Sequence, residues 1–211
     1  MKVWGDKYLG NPVRVSIFAL EKGLDLEFIP VNLFAGEHKT LEFLAKSPTA
    51  QIPVLELDDG TCISETVAIC RYLERLHPEP ALMGRTPLEE AVIEMWNRRV
   101  EFGFADAARQ VFRHTAEFVK VLEPVQLPEW ADLNRPRLVE GLEVMEGQLA
   151  KQRYLAGPDF TIADITAIMP FGILERVGME IPDDCPSVRR WHDEVMARPS
   201  VAAILTPPEE R

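Results

Sequence analysis

Gln51-Ile52-Pro53-Val54-Leu55, running on through Asp58-Asp59-Gly60 and Thr61-Cys62-Ile63 to Ser64-Glu65-Thr66, is the stretch that decides the fold. Val54, Leu55 and Leu57 form a short apolar run. Asp58-Asp59-Gly60 is a hairpin signal, because glycine reaches the positive φ that tight turns require. After a short return strand, Ser64 and Thr66 offer hydroxyls ahead of Val67, Ala68, Ile69, Tyr72 and Leu73, which recur at helical spacing. The stretch therefore reads as strand, turn, strand and helix N-terminus. Pro53 brings no ladder donor, which places it at an edge or in a special turn. Cis bonds make up about 5–6% of X-Pro bonds, so on frequency alone Ile52–Pro53 is trans.

The helix start matters most for function. A helix N-terminus presents N–H groups and positive potential, and so favours a carboxylate. Glu65 would complement an ammonium. Together they fit the zwitterionic end of an α-amino acid. The same residues also read as an ordinary cap, with Ser64 or Thr66 at N-cap and Glu65 a first-turn acid favoured by the helix dipole.

Toward the N-terminus, Lys2 to Gly5 reads as a strand and Asp6 to Gly10 as a loop. Asn11-Pro12 opens a helix, with Asn11 as N-cap and Pro12 at the first helical position. Val13, Val15, Ile17, Phe18 and Leu20 fill it, and Gly23 ends it. Leu26 to Val31 is a second strand, so the first two strands are parallel with a crossover helix. Phe34 to Lys39 is a polar loop, and Thr40 to Ala45 a short helix. The order βαβ then ββα is a thioredoxin-like α/β arrangement.

Toward the C-terminus the pattern becomes helical throughout. His77-Pro78-Glu79-Pro80 and Arg85-Thr86-Pro87 punctuate the chain, giving a domain at 1–77, a linker at 78–87 and an all-helical domain at 88–211. Leu88, Val92, Met95, Trp96 and Val100 share one face, with a bend expected at Gly103. Leu138, Leu142, Met145 and Leu149 mark another amphipathic helix. Thr161 to Asp164 reads as a capping box with Asp in place of Glu. Pro170 kinks or ends that helix. A last helix carries Val188, Trp191 and Val195, and Arg198-Pro199-Ser200 terminates it.

Bulk properties narrow the partners. The 211 residues are 46% hydrophobic and 27% charged, with net charge −11. That acidity, with no basic stretch, argues against nucleic acid and anionic membrane. No apolar run approaches the 18 or so residues of a membrane span, and Met1 to Gly5 lacks a signal peptide's apolar core. The three cysteines, Cys62, Cys70 and Cys185, have no C-x-x-C spacing. They fit a reducing cytoplasm and form neither a disulfide framework nor a metal site. Cys62 and Cys70 read as small buried apolar residues.

Gln51-Ile52-Pro53-Val54-Leu55 with Ile63-Ser64-Glu65-Thr66-Val67-Ala68-Ile69 closely resembles the glutathione-binding core of cytosolic glutathione transferases. Tyr154-Leu155-Ala156-Gly157, Phe160 to Asp164, and Trp191 with Met196 and Arg198 to Val201 are similar to that family's second half. Gly36-Glu37-His38-Lys39 with Phe43-Leu44-Ala45 looks most like the phi class and its bacterial relatives. The resemblance covers essentially the whole chain. It implies a cis Pro53, with the Ile52 backbone pairing with the cysteinyl unit of glutathione and Gln51 beside it. Glu65 and Thr66 would hold the γ-glutamyl end, with Thr66 in place of the commoner serine. His38 and Lys39 would face the glycyl carboxylate; on the residues alone they are a solvated loop. The resemblance further implies a homodimer and an apolar electrophile as second substrate. In the family, residues such as Trp96, Arg99, Phe102, Phe104 and Phe112 face the electrophile or the dimer interface, although on an apolar helix face such residues are more often core.

The chain departs from the pattern at the thiol activator. Counting back from Arg14 places Leu9 where serine-type members carry the serine, and leucine donates no hydrogen bond. A thiol of pKa near 8.5 is only about 3% thiolate at pH 7, and lowering it by two units requires about 2.7 kcal/mol. One hydrogen bond to a charged group supplies roughly 1.5–3 kcal/mol. Asn11, through its amide or backbone N–H, and Tyr8 are the local donors; they also read as a plain N-cap and a loop aromatic. The expected activity is conjugation of the glutathione thiolate to a small apolar electrophile. Two competing readings are glutathione-dependent disulfide or peroxide reduction, and a non-catalytic glutathione-binding or scaffolding protein.

Overall fold

The computed structural model describes residues 1–206. They fall into two compact units, one of residues 1–81 together with the chain from Pro199, the other Leu82–Arg198.

The first unit is built on a four-stranded sheet. β1 (Lys2–Trp4) is followed by α1 (Pro12–Glu21) and β2 (Glu27–Ile29), then a 3₁₀ turn at Glu37–Lys39 and α2 (Leu41–Leu44). β3 (Val54–Glu56), β4 (Cys62–Ser64) and α3 (Thr66–Leu76) complete the sequence. The sheet order is β2-β1-β3-β4. β1 and β2 are parallel, as expected of a crossover connection, whereas β1–β3 and β3–β4 are antiparallel. The turn closes through Leu57 N–H to the Thr61 carbonyl at 2.8 Å and Thr61 N–H to Asp59 Oδ1 at 2.8 Å. Val3 and Leu55 lie opposite each other in register and are fully buried, as are Val15, Ile17, Phe18, Ile69 and Leu73 of the covering helices.

Two expectations are corrected in this unit. The Ile52–Pro53 bond is cis, against the frequency argument and in accord with the family resemblance. Asn11 is not a side-chain cap: its backbone is helical at φ −61°, ψ −33°, and its side chain makes no capping bond. A capping side chain reaches the first turn from extended backbone, and helical dihedrals turn it away. The turn is instead entered through the Gly10 and Asn11 carbonyls, which accept from Val13 and Arg14 N–H at 3.2 Å each.

The second unit is helical. α4 (Pro87–Arg99) passes through a π-helical segment at Val100–Ala105 into α5 (Asp106–Thr115), followed by a 3₁₀ turn at Glu117–Val121. The bend expected at Gly103 is this π segment. It faces Gly141 of α6 (Pro128–Leu149), where an added Cβ would lie 2.9 Å from Phe104. Leu138, Leu142, Met145 and Leu149 are buried along α6, as their spacing requires. α7 (Ile162–Ile168) and α8 (Phe171–Leu174) are separated at Pro170, and α9 (Pro186–Met196) closes the unit. The capping box is formed: Asp164 accepts from Thr161 N–H and Leu155 N–H at 3.0 Å and from Trp191 Nε1 at 2.9 Å.

Pro199 ends α9, but the chain resumes as α10 (Pro199–Leu205). This helix packs on α1 of the first unit, burying Val201 and Ile204, with the Ser200 hydroxyl donating to Glu21. Residues 199–206 thus associate with the first unit, where the sequence reading grouped them with the helical half.

Candidate functional site

The register of the β3–β4 hairpin pairs Val54 with Ser64, so Pro53 and Glu65 emerge at the same end of the sheet. Trp4 pairs with Val54 at that end. Beyond it Gly5 lies so close to Pro12 and Ile52 that a Cβ there would sit 2.8 Å from the Pro12 ring. The Arg14 guanidinium reaches from α1 to the first residue of α3, donating to Thr66 Oγ1 at 2.6 Å. One end of the sheet thus gathers the Tyr8–Asn11 loop, the Gln51–Pro53 segment and the Glu65–Thr66 helix start.

The Gln51–Pro53 segment is held from behind. Buried Ser47 accepts Gln51 N–H on Oγ at 3.2 Å, and Ala50 N–H donates to the Ser47 carbonyl at 2.9 Å. Ala50 adopts a left-handed φ of 56° to make the turn. Among the described residues, neither the N–H nor the carbonyl of Ile52 has a backbone partner. Ile52, just ahead of β3, therefore keeps a backbone edge available to an extended peptide.

Glu65 has φ 68° and ψ 117°, a left-handed conformation unusual outside glycine. Strain of this kind persists only where the surroundings over-determine it, and it concentrates at ligand clamps. The side chain is exposed and caps nothing. Ser64 is the last residue of β4, so neither hydroxyl is spent on capping. The α3 N-terminal amides and Thr66 remain to meet an anion.

His38 and Lys39 lie on the 3₁₀ turn ahead of α2, whose Phe43 packs with Val31, Val54 and Ile52. The loop before them is fixed by Glu37 accepting Asn32 N–H at 2.7 Å and by Asn32 accepting Ala35 N–H at 2.9 Å. His38 is only 6% exposed, so it is not a solvated loop residue. Its Nδ1 has no partner. Burial, reinforced by the Lys39 charge, holds the ring below its usual pKa. Lys39 is exposed.

Leu9 and Tyr8 are exposed, at 52% and 42%. Tyr8 N–H donates to Asp6 Oδ1 at 2.9 Å, and Lys7 Nζ lies 4.8 Å from the Tyr8 ring centre. Asn11 is exposed beside them. Cys62 is half-buried and packs at the edge of the Val31–Phe43–Val54 cluster, whereas Cys70 is fully buried. Among the described residues no group of His, Cys, Asp and Glu has the arrangement of a metal site.

The sequence matches the glutathione S-transferase N-terminal domain over residues 11–76 and the C-terminal domain over residues 113–199. It is 39% identical over 197 residues to glutathione S-transferase 2 of Saccharomyces cerevisiae, covering 92% of this chain and 84% of that one. The chain belongs to the glutathione S-transferase family. Among solved members, a glutathione S-transferase domain-containing protein of Marinobacter aquaeolei superposes with TM-score 0.91 at 39% identity, covering 95% of this chain and all of that one. Gtt2 of Saccharomyces cerevisiae gives TM-score 0.91 at 36% identity, with 97% and 100% coverage. The fold is the glutathione transferase fold.

Sequence reasoning passed over Arg14, using it only to count back to Leu9. The available signal was a lone basic residue inside the apolar run Val13 to Ala19, because a charged residue on a buried helix face requires a partner.

Proposed function

We propose that this protein is a glutathione transferase that conjugates the thiolate of glutathione to a small apolar electrophile. The observation that carries the reading is the combination at one sheet end: an unpaired Ile52 backbone beside an α3 start whose Glu65 is held left-handed. In this reading the cysteinyl unit pairs with Ile52, beside Gln51 and Pro53. Glu65 takes the γ-glutamyl ammonium, and Thr66 with the α3 amides takes its carboxylate. Neutral His38 donates to the glycyl carboxylate, and Lys39 adds a point charge.

The thiolate then lies at the start of α1. A helix N-terminus lowers a thiol pKa, and one donor to a charged acceptor supplies roughly 1.5–3 kcal/mol. Asn11 is the first donor and Tyr8 the second. The absence of a capping bond at Asn11 favours this, because its amide is not committed to the helix. Catalysis consists of thiolate stabilisation and proximity to the electrophile. The protein acts as a homodimer.

Calorimetry with glutathione and single-turnover conjugation of 1-chloro-2,4-dinitrobenzene test the reading together. Saturable binding with turnover is expected. Binding without turnover would favour a non-catalytic glutathione-binding protein, for which Leu9 at the serine position is the motive. Recovery of turnover only in Leu9→Ser would establish that alternative.

A further inference from the structure

α1 and α3 face each other through a buried polar ladder. At one end Arg14 donates to Thr66, with both residues only 8% exposed. At the other end, two turns along each helix, the Lys22 ammonium pairs with Glu74, again with both residues 8% exposed. Phe18 and Cys70 fill the rung between them and are fully buried. Burial pushes the Cys70 thiol up to about 12, so Cys70 itself stays neutral between the two charged ends. Arg14, Phe18 and Lys22 share one face of the α1 segment, and Thr66, Cys70 and Glu74 share one face of α3.

The chemistry of that bond is directional. A guanidinium only donates, whereas a threonine hydroxyl has one proton to give and two lone pairs. Once Thr66 Oγ1 accepts from Arg14, its own proton points elsewhere. Among the described residues no hydrogen bond takes it up, and the residue opens α3 where an anion is favoured.

We infer that Arg14 is a positioning residue for glutathione: it orients the Thr66 hydroxyl to donate to the γ-glutamyl carboxylate. Arg14 acts through Thr66 and does not touch the thiol. The inference rests on the proposed glutathione site.

A double-mutant cycle on the glutathione dissociation constant tests it, using Arg14→Met, Thr66→Val and the double variant. Arg14→Met is expected to weaken glutathione about tenfold in the native background, the value of one charge-assisted hydrogen bond. In the Thr66→Val background it is expected to weaken binding less than about twofold, because its target is already gone. The thiol pKa of bound glutathione should be unmoved in both. Equal losses in the two backgrounds would overturn the inference while leaving glutathione binding intact. Absence of binding in the native protein would overturn the glutathione reading itself, and this inference with it. If circular dichroism shows that Arg14→Met does not fold, the same cycle is run with Arg14→Lys, which keeps the stem and the charge. Loss confined to the Thr66 background supports the fork-shaped donor, and unchanged or additive affinities refute it.

Discussion

Among single residues, a few side chains have unusual surroundings. His38 is buried, and its lowered pKa means that the fold favours the neutral ring. The stability this brings is present above the usual value of 6.5 and is lost as the pH falls through the lowered one. A bound carboxylate has the opposite effect, because it favours the imidazolium. S-methylglutathione, which has no thiol to titrate, is therefore expected to raise the His38 pKa and to bind more tightly below neutral pH. NMR titration of the imidazole, free and saturated, checks this; an identical pKa in both states would remove His38 from the site. Asn11→Ala is expected to raise the bound thiol pKa by about one unit and to lower kcat/KM about tenfold at pH 7, read from pH–rate profiles. Glu65 showed plainly in the sequence as an acid before a helix, yet its left-handed backbone did not, because φ is imposed by the β4–α3 junction and by no local preference of glutamate.

At the scale of elements, periodicity and turn chemistry carried most of the information. The hairpin, the parallel crossover and the buried stripe of α6 follow from residue patterns that each element satisfies alone. The π segment was legible only as a weak point at Gly103, because its geometry answers to Gly141, almost forty residues away. Gly141→Ala is expected to destabilise the helical unit by about 1–3 kcal/mol, since the new methyl meets Phe104 backbone that cannot yield easily. Chemical denaturation measures this. α10 was missed because Pro199 signals a stop, while Val201 and Ile204 gain burial only on α1. The capping box was fully legible, and its energetics follow from burial. Asp164 is pushed up to about 6 by desolvation, opposed by its four donors. Its proton uptake in the fold contributes stability below 3.8 that is lost as the pH rises through about 6. Asp164→Ala leaves the Leu155, Thr161 and Trp191 donors unmet and is expected to cost about 3 kcal/mol or more. The advantage of the native protein over that variant should shrink between pH 4 and 6, as urea unfolding at each pH will show.

At the scale of the molecule, the two units divide the work. The first carries the sheet end at which glutathione binding is proposed, and the second is a helical bundle with its own core. Family membership was legible because its motifs span both halves, from Gln51-Ile52-Pro53 to the capping box. The thiol activator was not legible, because Leu9 is exposed and residue type alone does not choose between the neighbouring donors Asn11 and Tyr8. With net charge −11, the protein is expected to bind glutathione through local donors and not through a general positive field, so added salt should change the affinity only modestly. The most direct measurement is an ultraviolet titration of the glutathione thiolate on the saturated protein, run beside calorimetry. Binding with the thiol pKa depressed by a unit or more is expected of an active transferase site. Binding with the pKa of free glutathione would contradict it.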